Sequence, residues 1–298
     1  MSITASALHS PARATILSWG WRRIAIALFS GALSALAMAP FNAWPILFIT
    51  FPVLVWLIDG TGTGRRGVIS AAIAGWWFGL GYFVAGLYWI GYAFLVDADT
   101  FAWLLPLAIL GLPALLALFM AAGCALARLI WTKDWSRVLS LAVALTVSEW
   151  LRGHILSGFP WNLFGYALAE PLAMAQAASL IGIWGMSFLA IAIFASPAIL
   201  IDDRARTKWP WLSLALSLLL LAAAWGYGTW RLDRHPTQFV SGVKLRLMQP
   251  NLQQDVKFNY SAKDAVIAKY MVLSDRATGP QTSGVRDATI LIWPESAF

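Results

Sequence analysis

Few residues in this sequence can do chemistry. Glu149 and Arg152 stand three apart in Ser148-Glu149-Trp150-Leu151-Arg152-Gly153, so on a helix they share a face and can pair. Charged groups at the edge of an apolar run default to a functional role. The competing reading is a structural pair that pins the segment after it. Glu295 follows the apolar run from Ala288 to Trp293, within Trp293-Pro294-Glu295-Ser296-Ala297. A carboxylate just past the C-terminal end of a buried strand lies where α/β proteins place ligands. It could act as a general base, although a loop carboxylate without function fits the same pattern. Cys124 is the one cysteine, so no disulfide forms within the chain. It sits in an apolar run and reads as a small buried hydrophobe. Lys257, Lys263 and Lys269 all precede Glu295.

The elements that must position these groups are dictated by a non-aqueous solvent. Of 298 residues, 60% are hydrophobic and 12% are charged, and mean hydropathy is +0.70. Soluble domains carry about 25% charge, so these charges cannot coat a soluble surface. The 18 Trp fit the membrane–water interface. The net charge of +7 sits mostly in short loops between apolar runs, which argues for membrane topology and against nucleic acid as a partner.

A helix needs about 20 apolar residues to cross a bilayer. Val68 to Val96, Phe101 to Ala127, Leu172 to Ile201 and Trp209 to Trp230 meet that length. Ile24 to Ala39, Trp44 to Ile58 and Val138 to Trp150 are shorter. A single helix over the first two short runs would reach about 50 Å at 1.5 Å per residue, too long for a hydrocarbon core of about 30 Å. Pro40, Asn42 and Pro45 break it into a helical hairpin. A cleaved leader ending at Ala37-Met38-Ala39 is the alternative, but it would leave the second short run without its pair. Small residues at four-residue spacing, Gly31, Ala35, Ala39 and Ala71, Gly75, Gly79, read as close helix packing.

Loop charge tests the count of seven. Arg13, Arg22, Arg23, Arg65, Arg66, Arg128, Lys133, Arg137, Arg204, Arg206 and Lys208 fall in one set of alternate loops, against Arg152 alone in the other. Cytoplasmic loops are enriched in Lys and Arg. Seven spans with a cytoplasmic N-terminus satisfy every loop, and the segment after Trp230 then faces outward.

Residues 153–171 form an outer segment too apolar for an ordinary loop, with Gly158 and Pro160 interrupting any helix. A re-entrant or interfacial arm fits, its aromatics in the headgroup layer. Beyond residue 230 the composition changes. Val243 to Met248 alternates as a strand, Pro250-Asn251 marks a turn, Ser261 with Asp264 resembles a capping box, and Ala288 to Trp293 reads as a buried parallel strand. Strand, helix and strand together make a βαβ unit of an α/β domain. The expected organisation is a seven-helix membrane domain over 1–230 and the start of an α/β domain over 231–298.

Ser148 to Gly153, a short spacer and Gly158-Phe159-Pro160-Trp161-Asn162-Leu163-Phe164-Gly165-Tyr166 resemble a signature of apolipoprotein N-acyltransferases, as does Ala39-Pro40-Phe41 in the first turn. Trp293 to Ala297 is similar to the motif that carries the catalytic glutamate in the nitrilase superfamily, to which these acyltransferases belong. The resemblance implies a multi-pass α-helical membrane domain followed by the incomplete start of an α/β nitrilase-like (αββα) domain. It implies a bacterial inner-membrane enzyme with its C-terminal domain in the periplasm. It also implies that a Cys takes an acyl chain from a phospholipid as a thioester and passes it to the N-terminal amine of a diacylated lipoprotein, with a Glu as general base and a Lys steadying the oxyanion. No cofactor and no metal are implied. Glu295 takes the place of the Glu. Glu149, Arg152, Phe159, Trp161, Tyr166 and Phe258 are the lipid-facing candidates, Phe258 standing where the family commonly shows Trp. The Lys and Cys have no counterpart, since the family's follow the Glu, so the chain reads as an inactive fragment. A membrane-anchored amidase, a transporter and a non-catalytic membrane protein are the alternatives. The apolar arm favours a lipid substrate over the amidase, and run interiors almost free of charge disfavour the transporter.

Overall fold

The structure is a computed structural model that describes residues 11–201, 210–253, 256, 260–277, 279 and 282–294. Arg204, Arg206, Lys208, Lys257, Phe258 and Glu295 lie outside the described residues. Two compact units emerge, Met1–Gly91 with Leu104–His235, and Tyr92–Trp103 with Pro236–Phe298.

In the first unit each expected apolar run coincides with a helix. These are α1 (Gly20–Ser34), α2 (Leu47–Asp59), α3 (Gly64–Leu87), α4 (Leu112–Leu129), α5 (Arg137–His154), α6 (Ala178–Ala195) and α7 (Trp211–Arg234). Among the described residues, four helical stretches are long and apolar enough to cross a membrane: Gly64–Leu95, Ala98–Leu129, Ala178–Ile201 and Trp211–Arg234. The other helices are short, at 15 residues for α1 and 13 for α2, or carry more charge, as α5 does with Arg137, Glu149 and Arg152. Between α1 and α2 the chain reverses through Met38 to Ala43, where Asn42 adopts φ +50° and the Ala43 N–H donates to the Leu36 carbonyl at 2.8 Å. Pro40 and Pro45 cannot continue a helix, and the reversal lies between them.

The stretch expected as one run from Phe101 to Ala127 is not uniform. A short helix, Ala98–Phe101, and a π-helical turn, Leu107–Gly111, precede α4. The run from Leu172 is likewise broken at Gly182, whose φ is +64°. Apolar content alone does not reveal such breaks, because a break leaves the hydropathy unchanged.

Helix α3 packs against both α1 and α4, α4 against α5, and α5 against α6. Small residues set these spacings. A Cβ added at Gly75 would lie 2.7 Å from Cβ and Sγ of Cys124, and one at Gly79 would lie 2.8 Å from Cβ of Met120. Lipid tails are as apolar as leucine, so close van der Waals approach must supply the attraction between helices. The outer faces carry exposed apolar side chains, among them Phe29, Ile49, Leu115 and Leu219, and exposed Trp19, Trp21, Trp211 and Trp230 near helix ends. That is the surface of a protein solvated by lipid.

The second unit holds β1 (Leu245–Leu247) and β2 (Ile290–Ile292), paired in parallel with Leu245 opposite Ile290, and between them in sequence α8 (Lys263–Asp275). Val266 and Tyr270 of α8 are buried and pack with Leu252, Ala262 and Trp293, whose Nε1 donates to the Ser274 hydroxyl at 2.9 Å. Two local expectations are corrected. The helix begins at Lys263 behind a 3-10 turn, Tyr260–Ala262, without a side-chain cap at its N-terminus. The β2 strand is not buried: Ile290 and Ile292 are exposed, because a two-stranded sheet covered by one helix shields alternate positions at best.

Gly75→Leu is expected to destabilise the bundle by about 1–3 kcal/mol through overpacking against α4. Cys124 is buried and is the chain's lone thiol, so its reaction with a thiol dye during a thermal ramp reads the loss directly. An unchanged labelling midpoint would refute the close-approach account.

Candidate functional site

The last turn of α5 buries two charges. Glu149 is 5% exposed and Arg152 2% exposed. The Arg152 Nη2 lies 3.7 Å from the Glu149 Oε1. Helical spacing of three brings the two side chains to one face, and both then reach into the segment after the helix. The Arg152 Nη1 donates to the carbonyls of Phe159, at 2.7 Å, and Trp161, at 2.6 Å. Glu149 Oε1 accepts from the Phe164 N–H at 3.0 Å. The Arg152 guanidinium also sits 5.0 Å from the centroid of the Phe83 ring, a cation–π contact.

The arm is therefore held by its backbone. Tyr82 of α3 donates to the Asn162 carbonyl at 2.9 Å, and the Gly165 N–H donates to the Ser187 hydroxyl of α6 at 3.1 Å. Phe164 is fully buried, with its ring 4.8 Å from that of Phe51 and 4.9 Å from that of Tyr82. Gly158 turns the chain at φ +74°, which L side chains rarely adopt. Asn162 follows at φ +53°. Of the arm's other aromatics, Phe159 packs partly buried against the core, and Trp161 and Tyr166 are more open. Trp161 is about half exposed and Tyr166 somewhat less. Trp161 stacks on Phe159 at 6.0 Å and on Trp89 at 5.0 Å.

Met38 and Ala39 of the first turn and Pro160, Trp161, Asn162 and Tyr166 of the arm line a crevice of about 320 Å³. The two sequence features singled out at the start, the Ala39-Pro40-Phe41 turn and the Gly158 to Tyr166 arm, thus meet in space. Glu149, Arg152, Phe159, Trp161 and Tyr166 belong to one locus. Sequence reading missed Tyr82, Phe83 and Ser187, which complete that locus from α3 and α6. A hydroxyl or ring within an apolar run carries no local signal of its partner. Cys124 is buried against Gly75 in the bundle, four residues before Arg128, and takes no part in this locus. No group of three or more His, Cys, Asp or Glu that could hold a metal occurs among the described residues.

A helical membrane bundle with an arm held by a buried ion pair defines the class of protein. Comparison with known proteins narrows it. The model of the apolipoprotein N-acyltransferase N-terminal domain matches residues 30–196. An apolipoprotein N-acyltransferase of Rhodopseudomonas palustris is 67% identical over 284 residues, 95% of this chain and 53% of that protein. One of Bradyrhizobium diazoefficiens is 66% identical over 292 residues, 98% of this chain and 54% of that protein. One of Brucella suis biovar 1 is 44% identical over 291 residues, covering 95% and 53%. The chain belongs to the apolipoprotein N-acyltransferase family, and it spans about half the length of the curated relatives it matches.

Arg152→Ala should cost about 3–5 kcal/mol by leaving Glu149 buried and unpaired. It should also release the arm, since two carbonyls and one ring lose their partner. Limited chymotrypsin digestion should then cut after Trp161 or Tyr166 at least several times faster than in the wild type. Equal cleavage rates would mean that the arm is held without Arg152.

Proposed function

We propose that this chain forms the membrane half and the first strands of the outer catalytic domain of an apolipoprotein N-acyltransferase. The reaction moves an acyl chain from a phospholipid to the N-terminal amine of a diacylglyceryl-cysteine lipoprotein. A Cys thiolate attacks the acyl ester, forms a thioester and releases the lysophospholipid. The lipoprotein amine then attacks the thioester and regenerates the thiol. Glu295 is assigned as the base that takes the thiol proton. The Lys and the nucleophilic Cys that this reaction needs have no counterpart in the 298 residues. Cys124 is not that nucleophile, because it is buried within the bundle.

The single observation that carries this reading is the arm, whose backbone is fixed by Glu149 and Arg152 while Trp161 and Tyr166 border a crevice at the bundle's edge. Such a surface suits an acyl chain arriving from the bilayer. Phe159 and Phe258 are assigned to the same lipid-facing role. The parallel pair β1 and β2, connected through α8, supports a nitrilase-like start over residues 231–298. The proposed topology has seven spans within residues 1–230, a cytoplasmic N-terminus and a periplasmic C-terminal domain in the bacterial inner membrane. It rests on the alternation of basic loops.

Two measurements test the reading. A reporter fused after Phe298 that is active only outside the cytoplasm should be active; activity of a cytoplasm-only reporter there would overturn the topology. The purified 298-residue chain, incubated with radiolabelled phospholipid, should carry no hydroxylamine-sensitive acyl group. Thioester-linked label on it would show that the assigned chemistry needs no further residues.

A further inference from the structure

A groove between α1 and α3 lies at the ends of these helices that adjoin the basic loops. It has a volume of about 380 Å³, within the range of small-ligand sites, and Arg23, Arg66, Ser70, Ile69, Ile73 and Trp77 contribute to its wall. Among the described residues, no acidic one lines it. Arg23 is held in place by donating from Nη2 to the Leu57 carbonyl, and its Nη1 is buried without a hydrogen-bond partner. Arg66, in the first turn of α3, is exposed. Below the arginines, Ile69 and Ile73 are about half exposed along the outer face of α3.

We propose that this groove binds an anionic phospholipid from the leaflet on the side of the basic loops, its phosphate held by the exposed Arg66 at the end where Arg23 lies and one acyl chain along Ile69, Ile73 and Trp77. Length supports the assignment. From Arg66 to Trp77 a helix rises about 16 Å, close to half of a hydrocarbon core of about 30 Å. Polarity supports it as well: the wall is cationic with a hydroxyl at the headgroup end and apolar beyond, as a lipid is anionic at one end and apolar beyond. Basic pockets between membrane helices recognise anionic headgroups in this way. A second crevice, on the other side of α3, contains Arg65 and Arg128. It is the poorer fit, because its aliphatic lining is confined to Val68 and Leu129. The site lies apart from the arm locus and serves no step of acyl transfer; it ties the bundle to acidic lipid.

Native mass spectrometry of the full chain, after equal loading with phosphatidylglycerol and phosphatidylcholine in mild detergent, tests the assignment without any activity readout. Phosphatidylglycerol should be retained in preference. Arg66→Gln should reduce its retention about fivefold, the loss of one basic headgroup contact. Ile73→Trp, which fills the apolar end from an exposed position, should reduce it too. Arg65→Gln removes the same charge one residue away and should leave retention unchanged. Arg23→Gln is a poor choice because Arg23 also binds α2. Equal losses with Arg65→Gln and Arg66→Gln, or equal retention of the two lipids, would overturn the proposal. So would displacement of the lipid by millimolar inorganic phosphate, which would mark a site for free anions.

Discussion

Arg152 cannot be where it is unless the arm is where it is. Removing a guanidinium and a carboxylate from water costs several kcal/mol per ion even after relaxation. Attraction at a separation near 4 Å returns about 4 kcal/mol at an effective dielectric of 20, which falls short of two such penalties. The remainder must come from hydrogen bonds to charged groups, at about 1.5–3 kcal/mol each. Two arm carbonyls accept from Arg152, and one arm N–H donates to Glu149. The pair is thus stable because the arm is folded, and the arm holds its shape without helix or strand as far as Leu163, ahead of the 3-10 turn Phe164–Leu168, because the pair absorbs its backbone groups. Irregular backbone beside a membrane is tolerated on that condition.

The same condition explains why the arm divides its aromatics. Phe164 enters the bundle and meets Phe51 and Tyr82, whereas Trp161 and Tyr166 remain partly open beside the Met38–Ala39 turn. Backbone bonds bracket Phe164 on both sides, through its own N–H to Glu149 and the Gly165 N–H to Ser187. A residue fixed at both flanks can serve as a plug. Tyr166, beyond that bracket, is left to face the surroundings.

Much of this was legible in the amino-acid order. Apolar runs located the helices because a lipid-solvated helix must be apolar over its length, and Pro40 with Pro45 located the first reversal. Gly75 and Gly79 announced close packing, and their surroundings against Cys124, Ala117 and Met120 are of that kind. The spacing of Glu149 and Arg152 announced a pair. What the order did not carry was the third dimension of the locus. Tyr82, Phe83 and Ser187 come from helices far away in sequence, and nothing in their neighbours marks them as partners of the arm. The depth of burial was hidden as well, since a Glu at the end of a run looks like an edge residue until a later segment folds over it. The strand of Ile290 and Ile292 erred in the opposite sense. Apolar composition signals what a surface requires, and within the second unit one helix does not meet that requirement.

The arginines of the bundle form a graded series that follows from the same accounting. Arg152 is sealed, and its Nη1 serves two carbonyls. Arg137 is also sealed, with Asp59 3.5 Å from its Nε. Arg23 is half enclosed and serves the Leu57 carbonyl through Nη2, with Nη1 buried and without a hydrogen-bond partner. Arg66 is open. Burial without partners is costly for a charge, so the most enclosed arginines are those with partners supplied by the chain, and they have little capacity left for anything else. Capacity for an external anion rises as enclosure falls. It becomes useful where an open arginine stands beside a half-enclosed one above an apolar wall, and α1 and α3 bring Arg23 and Arg66 together in that way.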